Sequence, residues 1–160
     1  MIAVVDARTH QQSIVVAATA QQVYDLVSDV TRTGEWSPVC RWCRWDDGDG
    51  PRVGAHFTGH NETPERTWES RSEVVVAQPG REFAWEVNGG WVRWGYTMND
   101  VDGGVELTES WEFRPQGMAG FVERYGDAAP AQIEERTRTA HAGIAVTLAA
   151  IKRIAEAAAR

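Results

Sequence analysis

Apolar and polar positions alternate with a period of two through the middle of this chain and with a period near 3.6 at its two ends. The β-branched run 13–17 predicts a short opening strand. In the following ATAQQVYDLVSD, Val23, Leu26 and Val27 fall at helical spacing behind Thr19, a suitable N-cap, and predict a helix. A loop containing TRTGEWSP comes next, with Trp36 held between Gly34 and Pro38. Six strands are then predicted over 39–46, 55–62, 66–77, 82–87, 92–101 and 104–114. The breaks between them, DDGDGP, NETPE, QPG, NGG and VDGG, carry the residues that tight reversals need. Such short connections make neighbouring strands antiparallel.

After Pro115 the pattern changes. In QGMAGFVERYGDAAP, Met118, Phe121, Val122 and Tyr125 form one apolar side of a short helix between glycines, a candidate lid. From 131 to 159 an alanine-rich helix carries Ile133, Thr137, Ala140, His141, Ile144, Leu148, Ile151 and Ala155 on one stripe. At ~1.5 Å per residue it is roughly 40 Å long, too long to stand unpacked in water, so it must lie across the sheet. The order of strand, helix, six strands and long helix predicts an α+β fold in a single domain over residues 1–160. In it a curved antiparallel sheet of about seven strands wraps the C-terminal helix. Where that helix does not fill the curl, the remaining volume is a cavity, and the cavity is the expected site.

Composition sharpens this. At 160 residues, 42% apolar and 24% charged, the chain is long enough to bury a substantial core. Eight tryptophans are far more than usual, and such side chains fill cores or line ligand sites. A net charge of −7 repels phosphates and anionic headgroups, so nucleic acid is not an expected partner. No window approaches the roughly 18 apolar residues of a membrane span, and MIAVVDARTH does not look like a secretory leader, which makes the cytoplasm the simplest location. Cys40 and Cys43 make a lone C-x-x-C in VCRWCRW. On a regular strand they point to opposite faces, which predicts ordinary reduced cysteines, neither bridged nor chelating.

The same alternation turns Phe83, Trp85 and Val87, then Val92, Trp94, Tyr96 and Met98, then Val105, Leu107, Trp111 and Phe113 inward. Trp85, Trp94, Tyr96 and Trp111 are candidate pocket-lining residues, because a buried indole N–H or phenol O–H needs a partner; the competing account is plain core packing. Glu109 lies between Leu107 and Trp111 on the inner face. There a carboxylate is either paired structurally or has its pKa raised and can act as an acid or base. Thr137 and His141, four apart, face the sheet with Ile144 and Leu148; His141 can exchange protons near neutral pH or simply be a satisfied core histidine. In the strand 55–62, Phe57 argues for the odd set inside, which makes Asn61 a polar group of the cavity and places His56 and His60 outside. Trp36, Met118, Phe121 and Tyr125 either gate the mouth, cap the core or make a dimer contact. No metal site, phosphate loop, dinucleotide fingerprint or nucleophile elbow is present in the sequence, so neither a metal nor a cofactor is expected.

These residues also resemble a known family. The opening SIVVAATAQQVYDLVSD, the loop TRTGEWSPVCR, the strand VGAHFTGHN, the pair EVVVAQPGREFAWEV and GGVELTESWEF are similar to the polyketide cyclase/dehydrase branch of the START-like (SRPBCC, Bet v 1-like) superfamily. The resemblance covers nearly the whole chain and implies a helix-grip fold. It implies chemistry only weakly, since members include aromatase/cyclases, hydratases, and lipid and hormone carriers without a common catalytic motif. Three functions follow as expectations. The chain is a binder of a small hydrophobic, lipid-like, aromatic or polyketide-like molecule, working as monomer or homodimer. Alternatively it is a cofactor-independent cyclase or dehydratase using Glu109, His141 or Tyr96. In the third, it is a non-enzymatic regulatory or stress-response protein with little cavity.

Overall fold

A computed structural model describes residues 5–48 and 50–160. Residues 1–4, within the leader reading above, and Asp49, within the first turn, lie outside the described residues. Seven strands form one antiparallel sheet: β1 Arg8–Val16, β2 Cys40–Trp45, β3 His56–Thr63, β4 Arg66–Gln78, β5 Glu82–Val87, β6 Val92–Val101 and β7 Gly104–Phe113. Their spatial order is β1-β7-β6-β5-β4-β3-β2, so β2 to β7 form a meander and β1 closes it beside β7. Three helices accompany the sheet, α1 Ala20–Val27, α2 Pro115–Tyr125 and α3 Ala129–Ala159, with a 3₁₀ turn at Val30–Glu35.

Local chemistry explains most boundaries. α1 opens on a capping box: the Thr19 hydroxyl accepts from the Gln22 amide N–H at 3.1 Å, and the Gln22 side chain accepts from the Thr19 N–H at 2.9 Å. The β5–β6 turn places Asn88, Gly89 and Gly90 consecutively at φ of 52°, 68° and 103°, which only an Asn-Gly-Gly run supplies cheaply. β1 begins five residues earlier than the apolar run predicts. Arg8 to Gln12 carry no strand pattern, but the ladder to β7, from Arg8 opposite Phe113 to Val16 opposite Val105, holds them.

α3 is 31 residues long, ~46 Å at ~1.5 Å per residue. It is tied to β1 along its length. Arg8 donates to Glu134 at 2.8 Å and to Thr137 at 3.2 Å, Lys152 donates to the Val15 carbonyl at 2.7 Å, and the Ala17 N–H donates to Glu156 at 2.8 Å. Ile144, Leu148 and Ile151 of α3 are buried together with Val16, Val74, Phe83, Val105, Leu107 and Phe113 of the sheet. Among the described residues, no helix is long and apolar enough to cross a membrane.

Candidate functional site

The sheet and α3 do not meet everywhere. Between them lies a cavity of about 420 Å³, within the range of small-molecule sites. Its helical wall is Arg136, Thr139, Ala140, Gly143 and Thr147, small residues apart from the first, so the helix backbone stands back from the sheet there. Its sheet wall is aromatic. Phe57 on β3 meets Trp85 on β5 at 6.0 Å between ring centroids; Trp85 stacks beside Trp94 on β6 at 6.5 Å; Trp94 meets Trp111 on β7 at 6.5 Å. With Trp36, Trp68 and Trp91, six of the eight tryptophans line this space.

Glu109 stands in that wall, 4% exposed, directly opposite Tyr96 in the β6–β7 register. Burial pushes its carboxyl up to about 8, against a partial opposing effect of the Tyr96 hydrogen bond, so it holds a proton at neutral pH. An indole N–H can only donate, so the hydrogen bonds run from Trp36 to the Tyr96 oxygen and from the Tyr96 hydroxyl to Glu109. Burial also raises the Tyr96 phenol well above its ordinary value. Glu109 Oε2 is buried and has no protein partner. A protonated carboxyl with a spare oxygen, enclosed by indoles, is a hydrogen-bonding group awaiting a guest.

The opposite end is cationic. Arg66 on β4 lies over the Trp68 ring at 3.4 Å and reaches Glu135 at 3.5 Å, while its Nε is buried without a partner. Burial and the neighbouring Arg136 charge both lower the Arg66 pKa. Arg136 pairs with Glu135, lies over Phe121 at 5.2 Å and donates to the Tyr125 hydroxyl at 3.4 Å. Two guanidinium groups thus share one carboxylate beside the cavity.

The sequence-predicted residues divide accordingly. Glu109, Tyr96, Trp36, Phe57, Asn61, Trp85, Trp94, Trp111, Phe121 and Tyr125 all line the cavity. Asn61 is buried and donates to the Ser70 hydroxyl at 3.1 Å. Its odd-numbered companions Phe57 and Gly59 are buried too, whereas His56 and His60 are half-exposed. Trp36 is not an outer rim: it is 3% exposed and roofs the interior over Tyr96. Met118, Ile144 and Leu148 are buried in the core away from the cavity. Thr137 faces Arg8. His141 is exposed, stacked on His10 of β1 at 3.9 Å, and does not line the cavity. Residues joined by steps of four drift ~40° per step around a helix of 3.6 residues per turn. The cavity takes the 136–140–143–147 edge, of which only Ala140 belongs to the predicted stripe.

Sequence reasoning did not assign Arg66, Trp68, Arg136, Ser70 or Ser72 to the site. A signal existed on β4, where 66, 68, 70, 72 and 74 alternate with the exposed Thr67, Glu69, Arg71 and Glu73. The reading of the cysteines needs correction. Cys40 pairs with Asn61 and Cys43 with Gly59, so four residues of β2 face three of β3, through a bulge between Cys40 and Trp42. The bulge resets the alternation; both thiols face the cavity with their sulfurs 3.3 Å apart. Both are unbridged. Among the described residues no group of three metal-ligating side chains occurs.

Comparison with known proteins agrees with this architecture. A solution NMR structure of a polyketide-cyclase-like protein from Corynebacterium glutamicum is 56% identical. The match covers 94% of this chain and 92% of that one, at a TM-score of 0.69. The di-domain aromatase/cyclase StfQ of the steffimycin biosynthetic pathway is 16% identical over 96% of this chain and 52% of its own length, at a TM-score of 0.73. Ara h 8.0201 is 14% identical over 94% of this chain and 99% of its own, at 0.65. The last two show a shared fold alone. A search of curated proteins finds no match. The family described as "Polyketide cyclase / dehydrase and lipid transport" matches residues 8–149, and with the helix-grip architecture above this makes the chain a member of that family.

Proposed function

We propose that the chain binds a small, largely apolar organic molecule with a flat or aromatic body in the cavity between sheet and α3. The observation that carries this reading is the unpartnered Glu109 Oε2 inside a roughly 420 Å³ tryptophan-lined hollow. Such an arrangement stabilises nothing by itself, since a buried polar atom without a partner costs about 1–3 kcal/mol, and a ligand carbonyl or hydroxyl offsets that cost. Arg66 and Arg136 orient the guest, because a carboxylate or acidic phenol at their end completes the charge that Glu135 only half supplies. The regulatory reading without a cavity fits this geometry less well.

The experiment is native mass spectrometry and thermal shift against hydroxylated polycyclic aromatics, aromatic acids and fatty acids. Aromatic acids are expected to bind one per chain and raise the melting temperature. Absence of binding by any class would remove the proposal.

A second reading is favoured by the proton that Glu109 holds. If the guest is a reactive poly-ketone or β-hydroxy ketone, Glu109 can protonate a leaving hydroxyl while Tyr96 and Trp36 hold its position, which is the acid half of a dehydration. Glu109→Gln separates the two: it abolishes turnover but retains binding if the site is catalytic.

A further inference from the structure

The bulge in β2 gives the cavity wall a second chemistry. We propose that Cys40 and Cys43 form a peroxide-reactive dithiol that closes to a disulfide within the chain. The inference does not depend on what the cavity binds.

Geometry carries it. Cysteines three apart on a regular strand face away from each other, yet here the extra residue in β2 turns both toward β3 and brings the sulfurs to 3.3 Å. A disulfide needs ~2.05 Å, so closure asks the two sulfurs, already in contact, to approach further. Gly59 is part of that arrangement. A Cβ at position 59 would stand 3.2 Å from the Cys43 sulfur and 3.5 Å from the Cys40 sulfur, so the pair occupies the space that a larger residue would take. Both residues line the cavity, which admits a small oxidant. The chain has no other cysteine to compete.

The two thiols are not equivalent. Hydrogen bonding from Cys40, with Thr33 as a further partner, lowers the Cys43 pKa. The Cys40 thiol is pushed up, chiefly by its bond to Cys43 and then by burial. Cys40 is buried and its thiol donates to the Trp42 carbonyl at 3.3 Å, whereas Cys43 is the more exposed of the two, which makes Cys43 the attacking sulfur and Cys40 the resolving one. The Cys43 thiolate attacks one peroxide oxygen and breaks the O–O bond. That gives a sulfenic acid, and the departing hydroxide takes up a proton to become water. Cys40 then attacks the sulfenic sulfur, the S–O bond breaks, and its hydroxyl leaves with the Cys40 proton as a second water. Two thiols lose two electrons and one peroxide gains them. The product bridges the bulge at the residue where the Trp36 loop enters β2, fixing that corner of the cavity.

The test is intact and peptide mass spectrometry of the reduced full chain during titration with hydrogen peroxide. Expected are a mass lower by two hydrogens, simultaneous loss of both titratable thiols, one internally linked peptide spanning Cys40 and Cys43, and reversal by dithiothreitol. Cys43→Ser should slow peroxide consumption by at least about tenfold, whereas Cys40→Ser should accumulate a sulfenic acid on Cys43 that dimedone traps. Persistence of both thiols, separate over-oxidation without a link, or linkage between two chains overturns the assignment. So does a link that forms as fast in urea as in the folded protein, because the bulge then contributes nothing.

Discussion

A carboxyl group among indole rings makes stability depend on pH. Glu109 ordinarily titrates near 4.5 in an open chain and near 8 in the folded one. Below about 4.5 it is neutral in both states and burial carries no charge penalty. As pH rises toward 8 the unfolded chain ionises freely while the folded one keeps its proton, so stability falls, and the loss levels off above that point. A displacement from 4.5 to about 8 corresponds to at most about 5 kcal/mol. Glu109→Gln removes this dependence. The variant should gain on the parent progressively between pH 4.5 and 8, by up to about 5 kcal/mol, in urea denaturation at matched pH values. A difference that stays flat across that range would place the carboxyl in contact with water. Glu109 was legible from alternation on β7, where Leu107 and Trp111 flank it. His141 was not, because one step of helical drift decides between cavity and solvent, and a single sequence does not fix the helix's rotation. Nor did strand spacing reveal the meeting of Cys40 and Cys43, since the bulge that produces it involves no distinctive residue.

Two helices shape the hollow by what they lack. α3 presents Ala140, Gly143 and Thr147 to it, and a Cβ added at Gly143 meets only Pro38, at 3.7 Å. Gly143→Leu should fill the cavity and eliminate guest binding. The fold should be retained, because replacing glycine inside a helix contributes up to about 1 kcal/mol of helix propensity. Calorimetric titration together with the melting temperature checks both halves. α2 works by contact. A Cβ at Gly117 would lie 2.7 Å from the Trp91 carbonyl and 2.9 Å from the Phe113 ring, and one at Gly120 would overlap the Trp91 indole. Gly117→Ala or Gly120→Ala should therefore push α2 off Trp91, costing about 1–3 kcal/mol and altering Trp91 fluorescence. Unchanged stability in both variants would mean that this helix does not rest on the sheet as described. The glycine punctuation that suggested a lid reports this close packing: the glycines admit an indole.

At the level of the molecule, element order and antiparallel connectivity followed from short turns and one long helix, and the architecture of sheet around helix was readable before any comparison. What alternation could not supply was the cationic end, because Arg66 and Arg136 come together only when β4 and α3 are placed in three dimensions. The sheet also has an asymmetry of timing. β2 to β7 are joined in sequence and can zip by successive hairpins, but among the described residues β1 pairs with β7 alone, and it packs against α3. On a ribosome, Arg8–Val16 is therefore translated long before Gly104–Phe113 exists to receive it, and longer still before Ala129–Ala159 covers it. A nascent chain carries that strand unpartnered until β7 and α3 have emerged, and the receptive hollow comes into being only when α3 settles over the sheet.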